Sequence, residues 1–266
     1  MILFLREIIE FGIGAFALFV FALLALVGEV GFQIGRARSR AATPPDTQAA
    51  GVSTLTTGML GFVAFTLAVT IGIAQDRFEA RRHATLDEAN TIGTAWLRTG
   101  LAGTSGKLIA GLIEEYARAR LAYLVAASPD AAVGALAHAN AQQNEIWQRT
   151  LPLLPAMPAP LASALVSSLN DMFDAELVQR YSMESRVPTE TMLGLLLGAM
   201  LAIGALGYQM GLAGSRQPVL ALLLLLMVSG AMAMIIDFNQ PSAGFIHVNP
   251  APLEWTIAGF ASSPSQ

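Results

Sequence analysis

The chain has 266 residues, 54% of them hydrophobic and 13% charged, with a net charge of −4 and no cysteine. That apolar share exceeds the soluble norm and the charged share is about half of it, so the composition is that of a membrane protein with a soluble part. The charge balance argues against nucleic acid as a partner, and disulfides, thiol catalysis and cysteine metal sites are excluded.

The first apolar run is Phe11 to Phe32, broken only by Glu29. It is longer than the core of a cleaved signal peptide and lacks a small-residue cleavage site, so a permanent membrane helix is expected. Arg36-Ala-Arg38-Ser-Arg40 follows, then Ala41-Ala-Thr-Pro-Pro-Asp-Thr-Gln48, and the stretch reads as a polar, proline-bearing loop.

The second run, Gly51 to about Arg98, is the one around which the chain is organised. Its first half, to Ala74, carries no charge and exceeds the roughly 20 residues that cross a bilayer core. Its second half opens with Gln75-Asp76-Arg77-Phe78-Glu79-Ala80-Arg81-Arg82, and no proline interrupts it. One long helix is expected, half apolar and half in water, with Glu79 and Arg82 at supporting spacing. Such a helix can carry an event in the membrane to a soluble domain, or the reverse. On its membrane half, Gly58, Gly61, Ala64, Ala68 and Gly72 form a small-residue face suited to close helix packing. Leu55, Met59, Phe62, Thr66, Val69 and Ile73 form a bulkier face.

The soluble part, about 75–187, reads as helices throughout. A turn at Gly100 to Gly106 precedes a helix from Lys107 to about Ala127, with Ile109, Leu112, Ile113, Tyr116 and Tyr123 on one face. Ser128-Pro129-Asp130 is a helix start, and an alanine-rich helix runs from there to Pro152. Prolines 152, 155, 158 and 160 form a connector. The next helix carries Leu161, Leu165, Leu169, Phe173 and Leu177 on one side. Glu176, Arg180 and Glu184 form an i,i+4 ladder on another.

Met192 to Leu212 and Val219 to Ile236 are the third and fourth membrane helices, joined by a turn short enough to require an antiparallel hairpin. The tail from Asp237 is too apolar for a solvated segment and is expected to pack on the soluble bundle. The expected divisions are therefore 1–74 (helices one and two), 75–187 (helical bundle), 188–236 (helices three and four) and 237–266 (packed tail). Four crossings place both termini and the bundle on one side. Arginine counts on the two sides are near a tie, so charge alone leaves the orientation open.

Three segments carry a resemblance. These are Gly51-Val-Ser-Thr-Leu-Thr-Thr-Gly-Met-Leu-Gly61, then Gln75 to Arg82 with Leu86-Asp-Glu-Ala-Asn90 and Ile92-Gly-Thr94, and the closing Asp237-Phe-Asn-Gln-Pro241-Ser-Ala-Gly-Phe-Ile-His-Val-Asn-Pro-Ala-Pro-Leu253. The chain resembles the bacterial and plant bestrophin-like domain proteins over most of its length. Bestrophins are pentameric ion channels, mostly for anions, with four membrane helices, a helical cytosolic domain and both chain ends in the cytosol. The resemblance implies an all-α membrane protein, a homopentamer in a bacterial inner membrane, and a pore lined by the second helix. The neck would be Phe62, Thr66, Val69 and Ile73, a constriction that gates by dewetting. The run of acidic residues that follows the last membrane helix in calcium-activated bestrophins is missing; only Asp237 stands there. Neither calcium gating nor anion selectivity is carried over.

Asp76, Glu79, Asp87, Glu88 and Asn90 would repeat around the axis of such a ring and attract cations, and Arg77, Arg81 and Arg82 would attract anions. The plainer reading of the same charges is pairing between helices or subunits. Glu29 is either a functional acid at membrane depth or a solvated or Arg-paired carboxylate near the interface. For Phe62 and its face the plain alternative is helix packing.

Signals for catalysis are poor. His83, His138 and His247 lack metal-ligand spacing. Gly106-Lys107 has leucine at 101, where a phosphate-binding loop needs its first glycine, and leucine at 108 in place of Ser or Thr. Gly51-Val-Ser53 lacks the second glycine of a nucleophile elbow. No enzyme activity, cofactor or metal is expected. The lipid bilayer, inorganic ions and further copies of the chain are the expected partners. Besides a channel, a non-conducting membrane scaffold or sensor with a partner-binding bundle fits the sequence.

Overall fold

In a computed structural model of the protein, residues 12–41, 46–240 and 244–262 are described. Arg6, the start of the first apolar run at Phe11, the Thr43-Pro44-Pro45 loop and Pro241 to Ala243 of the tail lie outside them. The described residues form helices α1 (Ile13–Ala41), α2 (Asp46–Thr99), α3 (Gly106–Leu124), α4 (Pro129–Thr150), α5 (Ala159–Glu184), α6 (Thr189–Leu212), α7 (Pro218–Asn239) and α8 (Ala251–Ser262). Short 3-10 turns cover Gly100–Ser105 and Leu151–Ala156. No strand occurs among the described residues. Four helical stretches, those containing α1, the first half of α2, α6 and α7, are long and apolar enough to cross a membrane.

Local chemistry explains most of the boundaries. Ser128 accepts a hydrogen bond from the Ala131 amide at 3.2 Å, and Pro129 occupies the first turn of α4. Pro155 sits inside the 3-10 turn that separates α4 from α5. Helix α1 is longer than the apolar run: Gly35, Arg36, Arg38 and Arg40 extend it past Phe32 to Ala41. Nothing in that segment breaks a helix before Pro44, and arginine is a good helix former.

The chain divides into two compact units. Unit 1 is Met1–Asp76 with Arg186–Ile246, and unit 2 is Arg77–Ser185 with His247–Gln266. Helix α2 belongs to unit 1 up to Asp76 and to unit 2 from Arg77.

In unit 1 the core is built by Phe16, Val20 and Leu24 of α1, Val63 and Leu67 of α2, Leu195, Ala199 and Ile203 of α6, and Met232 and Ile236 of α7. The closest packing in it is glycine on backbone. A Cβ added to Gly31 would overlap the Gly204 carbonyl, and one on Gly35 would overlap the Tyr208 carbonyl. In return, Gly207 faces the Gly28 carbonyl and Gly211 the Phe32 carbonyl. Helices α1 and α6 thus meet along a seam where only glycine fits, the arrangement by which small residues bring membrane helices together. The expected seam was on α2. There, a Cβ at Gly58, Gly61 or Gly72 would meet nothing within 4 Å among the described residues. The small-residue face of α2 is turned outward from its own chain.

At the other end of the hairpin formed by α6 and α7, the Asn239 side chain accepts from the Val187 amide at 2.6 Å. Asp237 is buried, and its Oδ1 accepts from the amides of Phe245 (2.9 Å) and Ile246 (3.3 Å). This ties residues 244–246 to α7, so the first part of the tail stays in unit 1. The later part, α8, joins unit 2.

The core of unit 2 collects Ile92, Ile109, Ile113, Tyr116, Ile146, Leu165 and Leu169, closed by Leu253 and Phe260 of α8. Trp96 stacks on Phe260 with ring centroids 4.9 Å apart, and the Thr256 hydroxyl donates to the Ala89 carbonyl at 3.3 Å.

The glycine seam is testable by adding single methyl groups. Gly31→Ala and Gly207→Ala should each lower the thermal unfolding midpoint of the detergent-solubilised protein by several degrees, for an overpacking cost of about 1–3 kcal/mol. Gly230→Ala, in open space on α7, should leave it unchanged or raise it.

Candidate functional site

Two sets of residues bear on function: the membrane half of α2 and a buried polar cluster in unit 2. Along α2, Thr56, Val63, Leu67, Thr70 and Ala74 are buried. They recur every three or four residues and lie on one side of the helix. The bulky face points elsewhere. Phe62 is 66% exposed, Val69 47% and Ile73 45%. Thr66, half-buried between the two faces, donates its hydroxyl back to the carbonyls of Phe62 (2.9 Å) and Val63 (3.0 Å). Thr70 does the same to Thr66 at 2.8 Å. These bonds satisfy the hydroxyls within an apolar helix. The four residues expected at a neck therefore lie along one side of α2, and three of them are exposed in the single chain.

The charged set beyond Ala74 separates into exposed and enclosed members. Asp76 and Asp87 are exposed, and neither has an ion-pair partner among the described residues. Glu79 pairs with Arg82 at 3.0 Å on the surface, where such a pair contributes little. Arg77 donates to the Ser185 hydroxyl at 2.6 Å. Arg81 and Glu88 are fully buried, and their observed partners lie in the same chain. Arg81 donates to the carbonyls of Ser182 (3.1 Å) and Ser185 (2.6 Å), a cation placed on the negative end of α5. Glu88 accepts from Nε of Arg120 on α3. Burial within the chain removes these two from contact with water.

Arg120 is the centre of the enclosed set, and sequence reading passed over it. Besides Glu88 of α2, its Nη1 donates to Glu176 at 3.2 Å and its Nη2 to Gln179 at 2.8 Å, both on α5. The guanidinium also lies 4.9 Å from the ring centroid of Tyr123. One buried cation thus joins three helices. Of the expected i,i+4 ladder, Glu176 is buried, and Arg180 reaches it at 3.9 Å. A signal was present in the sequence. The apolar positions 109, 113 and 116 lead at helical spacing to position 120, which puts this arginine on the apolar face of α3.

Two carboxylates share the Arg120 guanidinium, and Glu88 Oε2 and Gln179 Nε2 have no hydrogen-bond partner among the described residues. Burial pushes the Glu88 carboxyl above its usual range. The Arg120 charge beside it pulls it back in part, and the neighbouring Glu176 adds to the rise. Burial likewise pushes up the Tyr116 hydroxyl, which accepts from Gln143 at 3.3 Å.

Glu29 lies at one end of unit 1, in a two-point pair with Arg216, which stands in the turn between α6 and α7. Both bonds are 3.0 Å, and Gln33 donates to the same carboxylate at 3.2 Å. Of the two expected readings for Glu29, the structure has the Arg-paired carboxylate. His83, His138 and His247 belong to no group of metal-ligating side chains among the described residues.

No family model, curated protein or solved structure matches the chain.

The raised Glu88 carboxyl has a consequence for stability. The native state holds a proton on Glu88 to higher pH than the unfolded chain, whose glutamate titrates near 4.5. The stabilisation is complete below that value and is lost as the pH rises through the native value. Native-state hydrogen exchange at α3 and α5 should show protection that declines with rising pH in this window. Glu88→Gln should remove that decline.

Proposed function

We propose that the protein is an oligomeric membrane ion channel of bestrophin-like architecture, with α2 around the axis and Phe62, Thr66, Val69 and Ile73 at the neck. One observation carries this reading: the bulky face of α2 is surplus to the fold of its own chain. Phe62, Val69 and Ile73 point away from the core of unit 1. Arranged around an axis, these side chains form an apolar constriction, which closes by dewetting and opens with a small widening. The resemblance of the Gly51–Gly61, Gln75–Thr94 and Asp237–Leu253 segments to bestrophin-like proteins supports a homopentamer in a bacterial inner membrane, with unit 2 and both termini cytosolic. Inorganic ions pass the exposed Asp76, Glu79, Arg82 and Asp87, and the sign of the charges nearest the path sets selectivity. No catalytic step or cofactor is assigned.

A different observation favours the second reading, a non-conducting scaffold or sensor. On α5, Leu177, Val178 and Tyr181 are exposed, the last to 74%. Adjacent exposed apolar side chains on a helix fit a partner protein.

Single-channel recording in planar bilayers under asymmetric salt separates the two. Unitary currents with a nonzero reversal potential are expected, and Phe62→Ala should raise conductance or leak. Its cost to chain stability should fall well below the roughly 3–5 kcal/mol of a fully buried phenylalanine. A monomeric protein, or a well-formed oligomer with no axial path, would refute the channel. Silence from such an oligomer under several stimuli would favour the scaffold.

A further inference from the structure

Unit 1 contains a cleft of about 170 Å³ between α1, α6 and the start of α7. Leu24, Phe32, Ile203, Leu206 and Leu225 line it, and Glu29, Arg216 and Gln217 form its polar part. A cavity of about 150 Å³ with apolar walls takes up benzene, so this cleft has room for roughly six carbon atoms of an apolar ligand.

The polar groups beside the cleft are unequally satisfied. Glu29 Oε1 accepts from Gln33 and Arg216, and its Oε2 accepts from Arg216. Its acceptor capacity is largely used. Arg216 spends two N–H groups on Glu29, and its others take no partner among the described residues. Its guanidinium lies 4.0 Å from the ring centroid of Phe32, which is itself a wall of the cleft. What this rim lacks is an acceptor, and a charged one at that, directly above an apolar slot. Nearby, Gln209 of α6 donates to the Ser53 hydroxyl of α2 at 3.1 Å. Glu29, Gln33, Ser53, Gln209 and Arg216 thus place polar side chains at the end of the four apolar helices where the α6–α7 turn lies. In a bilayer this is where headgroups meet water.

We propose that the cleft is a phospholipid site, in which part of one acyl chain fills the slot and the lipid phosphate lies on Arg216. The guanidinium meets phosphate oxygens through charge-assisted hydrogen bonds. Glu29 occupies two of the Arg216 donors, competes with the phosphate for them, and does not itself contact the lipid. The site is independent of whether α2 lines a pore.

Native mass spectrometry of the delipidated full chain, titrated with dioleoylphosphatidylglycerol, tests this. One saturable lipid per chain is expected. Ala221→Phe, which fills the cleft from α7, and Arg216→Gln should each weaken it about tenfold, the equivalent of ~1.4 kcal/mol. Glu29→Gln should bind as tightly as the native protein or more tightly, since it releases guanidinium donors. Leu223→Phe, on the same helix but outside the cleft, should change nothing. Dioleoylglycerol, with the same chains and no phosphate, should bind about tenfold more weakly. Equal binding of the two lipids would overturn the phosphate contact. Native-like binding by Ala221→Phe would overturn the cleft. If Glu29→Gln lost binding as Arg216→Gln does, the ion pair would be purely structural and the proposal wrong. If Ala221→Phe dissociated an oligomer with lipid binding intact, the occupant would be a second copy of the chain.

Discussion

Where α1 and α6 touch, carbonyl oxygens of one helix occupy the space that Cβ atoms of the other would need. Gly31 and Gly35 on one side, and Gly207 and Gly211 on the other, make that approach possible. Lipid offers apolar side chains as good a solvent as protein does, so apolar side chains alone give membrane helices little reason to associate. Backbone contact at glycine supplies dispersion and polar attraction that lipid cannot match. The remaining packing of unit 1 follows from the seam. The cores of α2 and α7 close on the α1–α6 pair, and Glu29 is carried to within reach of Arg216.

Unit 2 solves a different problem. Its helices gather around a modest apolar core. At the centre stands Arg120, which draws one residue of α2 and two of α5 to a single guanidinium. A buried ion pair seldom adds net stability over an apolar substitute, but removing one partner from it is severely destabilising, by about 3–5 kcal/mol. Such a group specifies which helices meet. It does so with two acids for one base, which leaves the Glu88 carboxyl raised and the bundle responsive to protons.

Helix α2 has three distinct sides in its apolar half. One is used by the core of unit 1. The other two, the bulky face of Phe62, Val69 and Ile73 and the glycine–alanine face, are left outward. That surplus is the link from fold to the channel reading, because a chain that needs only one side of a helix has the others free for a ring of copies or for an ion path. Thr66 and Thr70 have already committed their hydroxyls to the backbone of the helix. The chemistry left for the bulky face is therefore apolar, which suits a dewetting neck and gives no fixed donor to a passing ion.

Local composition was sufficient for the helical class, the four long apolar helices and the helix start at Ser128-Pro129. Each depends on the residues within one segment: run length, proline position, capping oxygen and apolar period. The absence of any helix breaker between Gly51 and Arg98 likewise made the length of α2 legible. The choice of partners was not. Small-residue faces occur on α1, α2 and α6, and nothing local says that α1 and α6 close on each other while α2 turns its glycines outward. That depends on which helices the chain connectivity brings together and on how their ridges fit. Arg120 and Glu176 show the same limit: charge at helical spacing looks like a solvated face until the third helix arrives and buries it. The sequence determined which segments are helical and apolar, because those properties are local. Only the tertiary structure decided which faces are buried, which charges are paired and where a cleft remains, because each of these is a property of two or more helices at once.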